Sequence, residues 1–154
     1  MRKGSIQLFL LSAVLLGQIS VRAAEIPLPS LPWSHVWQGR YQTTSYSVFN
    51  RALFGGPLRI GGTQYASGVC GHTPMSLTYN LEGAAEEFRA EIGVDDQDAS
   101  GDGQEETSVW FVVLADRREV LKREMKPGEK AQKIRIDLRG VSQLELRGAY
   151  GKGF

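Results

Sequence analysis

Several absences narrow the field first. The chain has one cysteine, Cys70, in 154 residues. No disulfide can form within it, and the fold must be held by burial, which a chain of this length can supply. No sign of charge predominates. Lys and Arg number 18 against 17 Asp and Glu, and no basic stripe appears, so the electrostatic footprint of a nucleic-acid binder is missing. Long apolar runs are scarce. The one such stretch, residues 6–19, is shorter than the about 20 residues a bilayer span needs. Helical periodicity is nearly absent too. AAEEF (84–88) is too short to stand alone as a helix. RREVLKREM (117–125) falls between strand-like segments and reads either as a helix or as the return arm of a hairpin.

Arg2 and Lys3 precede the apolar run, and Val21-Arg22-Ala23 follows it. This order is that of a secretory signal peptide, residues 1–23, with cleavage after Ala23. The remaining residues 24–154 suit one domain. Losing Arg2, Lys3 and Arg22 leaves 15 basic against 17 acidic side chains, a net charge of −2. No cysteine follows the run to carry a lipid, and no later stretch could span a membrane. The expected location is outside the cell, in a periplasm or at the cell surface.

What is present is alternation and glycine. MSLTYNL points Met75, Leu77, Tyr79 and Leu81 one way and Ser76, Thr78 and Asn80 the other, the mark of a half-buried strand. FRAEIGV repeats this with Phe88, Ala90, Ile92 and Val94, KIRIDL with Ile134, Ile136 and Leu138, and SQLELRG with Leu144 and Leu146. SVWFVVLAD is apolar on both faces and reads as a central strand, which places Trp110 in the core. PLRIGGTQY reads as a hairpin turning at Gly61-Gly62, since such turns need positive φ. Short strands between Gly- and Asp-rich turns predict an all-β sandwich.

The run LRIGGTQYASGVCGHTP (58–74) concentrates glycine around Cys70 and His72. In extended chain Cys70 and His72 share a face, so a nucleophile–base pair and a small hydrolase are conceivable. No third group and no helix N-terminus to activate the thiol can be identified. A buried cysteine among turn glycines is the plainer reading.

GVDDQDASGDGQEE (93–106) is the acidic loop. Asp96, Asp98, Ser100 and Gly101 match the start of a calcium loop, but its closing position would be Thr107 rather than Glu, and strands flank it. Two readings stand: a looser structural calcium site from Asp95, Asp96, Asp98 and Asp102, or a solvated turn. A glycosidase carboxylate pair needs a cleft between its members, which crowding on one turn does not offer.

The segments GGPLRIGGTQYASGVCGHTPMSLTYNL, FRAEIGVDD and VWFVVLAD together resemble the NPCBM (NEW2) domain, carbohydrate-binding module family 51. The matching residues are Leu58, Ile60, Gly61, Gly62, Tyr65, Gly68 and His72, then Tyr79 and Leu81, then Phe88 and Gly93 to Asp96, then Val109 to Asp116. The resemblance implies a galactose-binding-like β-sandwich (jelly roll). It implies a non-catalytic module that binds galactose-containing glycans and is ancillary to a glycoside hydrolase. Cys70 stands where a small or apolar residue is expected. The family also continues into an Asp- and Trp-containing strand that this sequence lacks after GAYGKGF. An edge left open in that way could pair with a strand of another chain, the rival reading of an interaction module.

A sugar site combines a flat aromatic face with groups that bond hydroxyls. Trp33, Trp37, Tyr41, Tyr46 and Tyr65 are aromatics of the right kind, and Trp37 lies in the most polar setting. The expected ligand set is His72, Arg59, Trp37, Tyr65 and Asp96.

Overall fold

The structure is a computed structural model and describes residues 8–9, 18–21, 24–38, 48–53, 55–97 and 108–151. In chain order the strands are β1 (Leu8–Phe9), β2 (Gln18–Val21), β3 (Ala24–Pro27), β4 (His35–Gln38), β5 (Val48–Phe49), β6 (Leu58–Ile60) and β7 (Thr63–Tyr65). They continue as β8 (Val69–His72), β9 (Met75–Asn80), β10 (Ala85–Ile92), β11 (Val109–Ala115), β12 (Arg118–Met125), β13 (Gln132–Asp137) and β14 (Gln143–Tyr150). One 3₁₀ turn, Leu28–Ser30, follows β3.

Two antiparallel sheets form the layers. One has the order β12-β11-β14-β9-β4, the other β13-β10-β2-β3. The alternation read from the sequence decides which side chains lie between them. Met75, Leu77, Tyr79, Leu144 and Leu146 of the first sheet share a buried cluster with Phe88, Ala90, Ile92, Ile134 and Ile136 of the second. A strand exposes alternate side chains to opposite faces, so each period-2 run supplies one wall of this core.

Both weak helix candidates of the sequence fold as strand. AAEEF is rich in helix formers, yet its residues from Ala85 on lie within β10, where Glu87, Phe88 and Arg89 pair with Asp137, Ile136 and Arg135 of β13; tertiary pairing outweighs helix propensity. RREVLKREM is the hairpin return: β12 runs back along β11 after the turn at Asp116-Arg117, both at positive φ. Trp110 is a correction. It is only partly buried and lies under the Lys122 ammonium, 4.6 Å from the ring centroid. Phe111 and Val113 take the buried side of the strand, which leaves Trp110 the outer face.

β6 and β7 form a separate two-stranded hairpin. Such a hairpin is marginal alone, and the protein fastens it. Leu58 and Ile60 are buried, and the backbone N–H of Asp96 donates to the Arg59 carbonyl at 2.9 Å.

Candidate functional site

The acidic loop begins by holding that hairpin. Asp96 accepts from the Gly61 N–H through Oδ1 at 2.7 Å and from the Gly62 N–H through Oδ2 at 2.8 Å. Asp95 accepts from the Arg59 N–H through Oδ2 at 3.1 Å and from the Gln97 N–H through Oδ1 at 2.8 Å. The two glycines therefore expose turn amides, and the paired aspartates close on them. Asp95 is fully buried, and burial raises its pKa against the lowering effect of the amides that point at it.

Outside this clasp is an open depression of about 380 Å³, lined by Pro57, Arg59, Asp96 and Gln97. The Arg59 side chain is on the exposed face of β6, with Nη2 3.4 Å from the Gln64 Oε1. Gln97 is fixed by donating from Nε2 to the Gly55 carbonyl at 2.8 Å. A guanidinium, a carboxylate with lone pairs to spare and an apolar proline ring thus border one hollow. These are groups that can bond ring hydroxyls.

The other expected ligands lie elsewhere. Tyr65 is on the inner side of the hairpin, opposite Leu58, and donates to the Glu91 Oε2 at 2.9 Å. Burial and the Glu91 carboxylate push its pKa to about 12. It joins hairpin to β10. His72 is in the interior, 3% exposed, with Nδ1 2.7 Å from the Thr73 carbonyl. A carbonyl only accepts, so the proton is on Nδ1. Cys70 beside it is completely buried, and a substrate has no surface by which to reach the pair. Trp37 is on β4 and faces a different groove, with no lining residue in common with the Arg59 depression.

Asp98 and Asp102 fall outside the described residues, as do Tyr41 and Tyr46. Among the described residues no group of three or more His, Cys, Asp or Glu is arranged to hold a metal ion. Asp95 and Asp96 give their oxygens to backbone amides, so this part of the loop does not by itself form a calcium shell. The outer face of β10 and β13 also carries a groove, but Arg89, Arg135 and Arg139 there are engaged by Glu25, Glu87 and Asp137.

Comparison with known proteins fits this architecture. The NPCBM/NEW2 domain family matches residues 24–153. The chain belongs to that family. Part of it is 33% identical over 95 residues to a putative endo-alpha-N-acetylgalactosaminidase of Renibacterium salmoninarum, an alignment covering 60% of this chain and 6% of that protein. The chain thus spans a small fraction of its curated relative. A CBM51 module from Clostridium perfringens GH95, solved with methyl-galactose, superposes with a TM-score of 0.68 at 20% identity, covering 80% of this chain and 86% of that one. A CBM51 module of Clostridium perfringens ZmpB, solved with GlcNAc and its INT domains, also superposes with a TM-score of 0.68, at 23% identity over 79% of this chain and 26% of that one. The NPCBM chain therefore has the galactose-binding-like sandwich of carbohydrate-binding modules. No helix among its described residues is long and apolar enough to cross a membrane.

Of the five expected ligands, Arg59 and Asp96 border the same hollow, with Pro57 and Gln97 beside them; the only sequence signal for those two was their position beside the Gly-Gly turn and the Asp pair.

Proposed function

We propose that the module binds glycans of galactose type without catalysis, as an accessory to a glycoside hydrolase outside the cell. The observation that carries the reading is the Arg59–Asp96 depression, a fixed polar rim on a fold whose relatives were solved with methyl-galactose and GlcNAc. The hairpin clasp sets Asp96 before any ligand arrives, which lowers the entropy lost on binding. The hollow is open, so single-sugar affinity is modest. Strand addition is the weaker alternative. β12, an edge of the five-stranded sheet, presents exposed Arg118, Glu119, Lys122 and Arg123, and edge charges discourage pairing.

Calorimetric titration with methyl-galactoside and with N-acetylglucosamine tests the reading. Arg59→Ala should weaken the preferred sugar by about tenfold, the loss of one charge-assisted hydrogen bond, with the melting temperature unchanged. A wild-type chain that binds neither would sink it. A melt with calcium and then chelator tests the structural calcium site expected from Asp95, Asp96, Asp98 and Asp102; an unmoved transition removes calcium from the reading. N-terminal sequencing of the native protein tests cleavage after Ala23.

A further inference from the structure

We infer that the outer face of the five-stranded sheet is a second sugar-contact surface, built on Trp37, which takes a neutral pyranose unit of a glycan chain. The inference rests on the glycan-binding reading and adds to it a second place and a ligand charge.

Three neighbouring strands bring six side chains into two rows. Trp37, Ser76 and Arg147 are cross-strand neighbours, and so are His35, Thr78 and Glu145. They line a groove of about 460 Å³, within the range of small-ligand sites. Trp37 stands at its border, 44% exposed, on the edge strand β4. An indole left this open offers a flat apolar face, the surface that the C–H side of a sugar ring covers.

The polar groups are placed to complete such a contact. Ser76 and Thr78 are 8% and 7% exposed at the floor of the groove. Neither hydroxyl has a protein partner among the described residues. Arg147 is held in plane by Glu145, through Nε to Oε1 at 2.6 Å and Nη2 to Oε2 at 3.1 Å. A guanidinium has five N–H donors, so these two bonds leave three for a ligand, while both Glu145 oxygens keep acceptor capacity. Donor and acceptor side by side match a pair of adjacent ring hydroxyls. The two charges cancel each other within the groove, which favours a neutral ring over a carboxylated or sulfated one. The pair is already ordered, so binding costs it little entropy. A shallow contact of this kind is weak alone. Engaged together with the Arg59 depression by one long glycan, it raises the overall affinity without a new contact.

The test uses the full chain, a soluble neutral galactan as the long probe, methyl-galactoside as the short one, and sialyllactose as the charged one. Trp37→Ala should weaken galactan binding about tenfold or more, as removal of an aromatic anchor does. Trp37→Phe should retain most of it, and Arg59→Ala should leave a Trp37-dependent remainder. In the wild type the Trp37 indole N–H resonance should shift on adding galactan, a readout that does not depend on how any variant folds. Galactan binding that is unchanged in Trp37→Ala, with an unmoved indole resonance, would overturn the inference and leave the glycan-binding reading standing. Preference for sialyllactose would overturn the neutral-ring assignment. No binding of any probe by the wild type would remove both.

Discussion

His72 is a basic group placed where its charge is unwelcome. Burial holds the imidazole below its ordinary 6.5, while the Thr73 carbonyl pulls the other way. The folded chain therefore holds fewer protons at this site than the unfolded chain, over the interval from the folded pKa up to 6.5. Stability from this group is complete above about 6.5 and is lost as pH falls through the folded value, at no more than about 1.4 kcal/mol per pH unit for one proton. Denaturant melts between neutral and mildly acid pH should show that slope, and His72→Gln should flatten it. Tyr79 carries the opposite lesson. It is 1% exposed, its hydroxyl has no partner among the described residues, and burial raises its pKa. An unsatisfied buried donor costs about 1–3 kcal/mol. Tyr79→Phe should therefore leave the melting temperature the same or higher; a clear fall would mean that the hydroxyl has a partner in solution.

Gly61 shows how the β6–β7 hairpin is seated as an element. Its φ is +54°, and an added Cβ would approach the Glu129 carbonyl oxygen to 2.8 Å and the Lys130 Cα to 2.9 Å. Gly83 has φ +74° with nothing within 4 Å of such a Cβ. Comparing the two separates backbone strain from collision. Gly83→Ala should cost about 1 kcal/mol for the left-handed backbone alone, and Gly61→Ala about 1–3 kcal/mol more for overpacking against main chain. Equal losses in urea melts would show that the β12–β13 turn yields freely. The hairpin itself was legible in the sequence because Gly-Gly between alternating apolar residues has few other uses. The side of Trp110 was not, because VWFVVLA is apolar at both parities and period 2 cannot assign a face. Nor was the strand fate of AAEEF, whose residues prefer helix until β13 lies alongside.

For the whole molecule, β2 occupies a revealing place. It lies between β10 and β3, and its Ile19 is 2% exposed. Those residues also fall within the expected signal peptide. A chain of residues 24–154 loses that strand, and one buried isoleucine alone represents about 1.5–3 kcal/mol. Its urea midpoint should be lower than that of the full chain. Equal midpoints would mean that β3 moves in beside β10 when β2 is gone. Local pattern showed most inward-facing residues correctly, since alternation is a property of single strands. It could not show that Trp37 and Arg147 share a groove. That depends on β9 lying between β14 and β4, a non-local order that no short stretch encodes. The groove itself was not legible for this reason, although Trp37 was read as a sugar-contact aromatic and Ser76 and Thr78 as outward.

The clasp between the Gly-Gly turn and the Asp pair has a practical consequence for recombination. Residues 58–65 and 93–97 are separated in the chain by two strands of the main sheets and one short one, yet three main-chain amides of the first, at 59, 61 and 62, bond to just two carboxylates of the second. The two segments are inherited usefully only together. A chimera that takes one from this module and the other from a relative without the matching partner should yield little soluble protein, while crossovers in the β11–β12 turn should be tolerated far better.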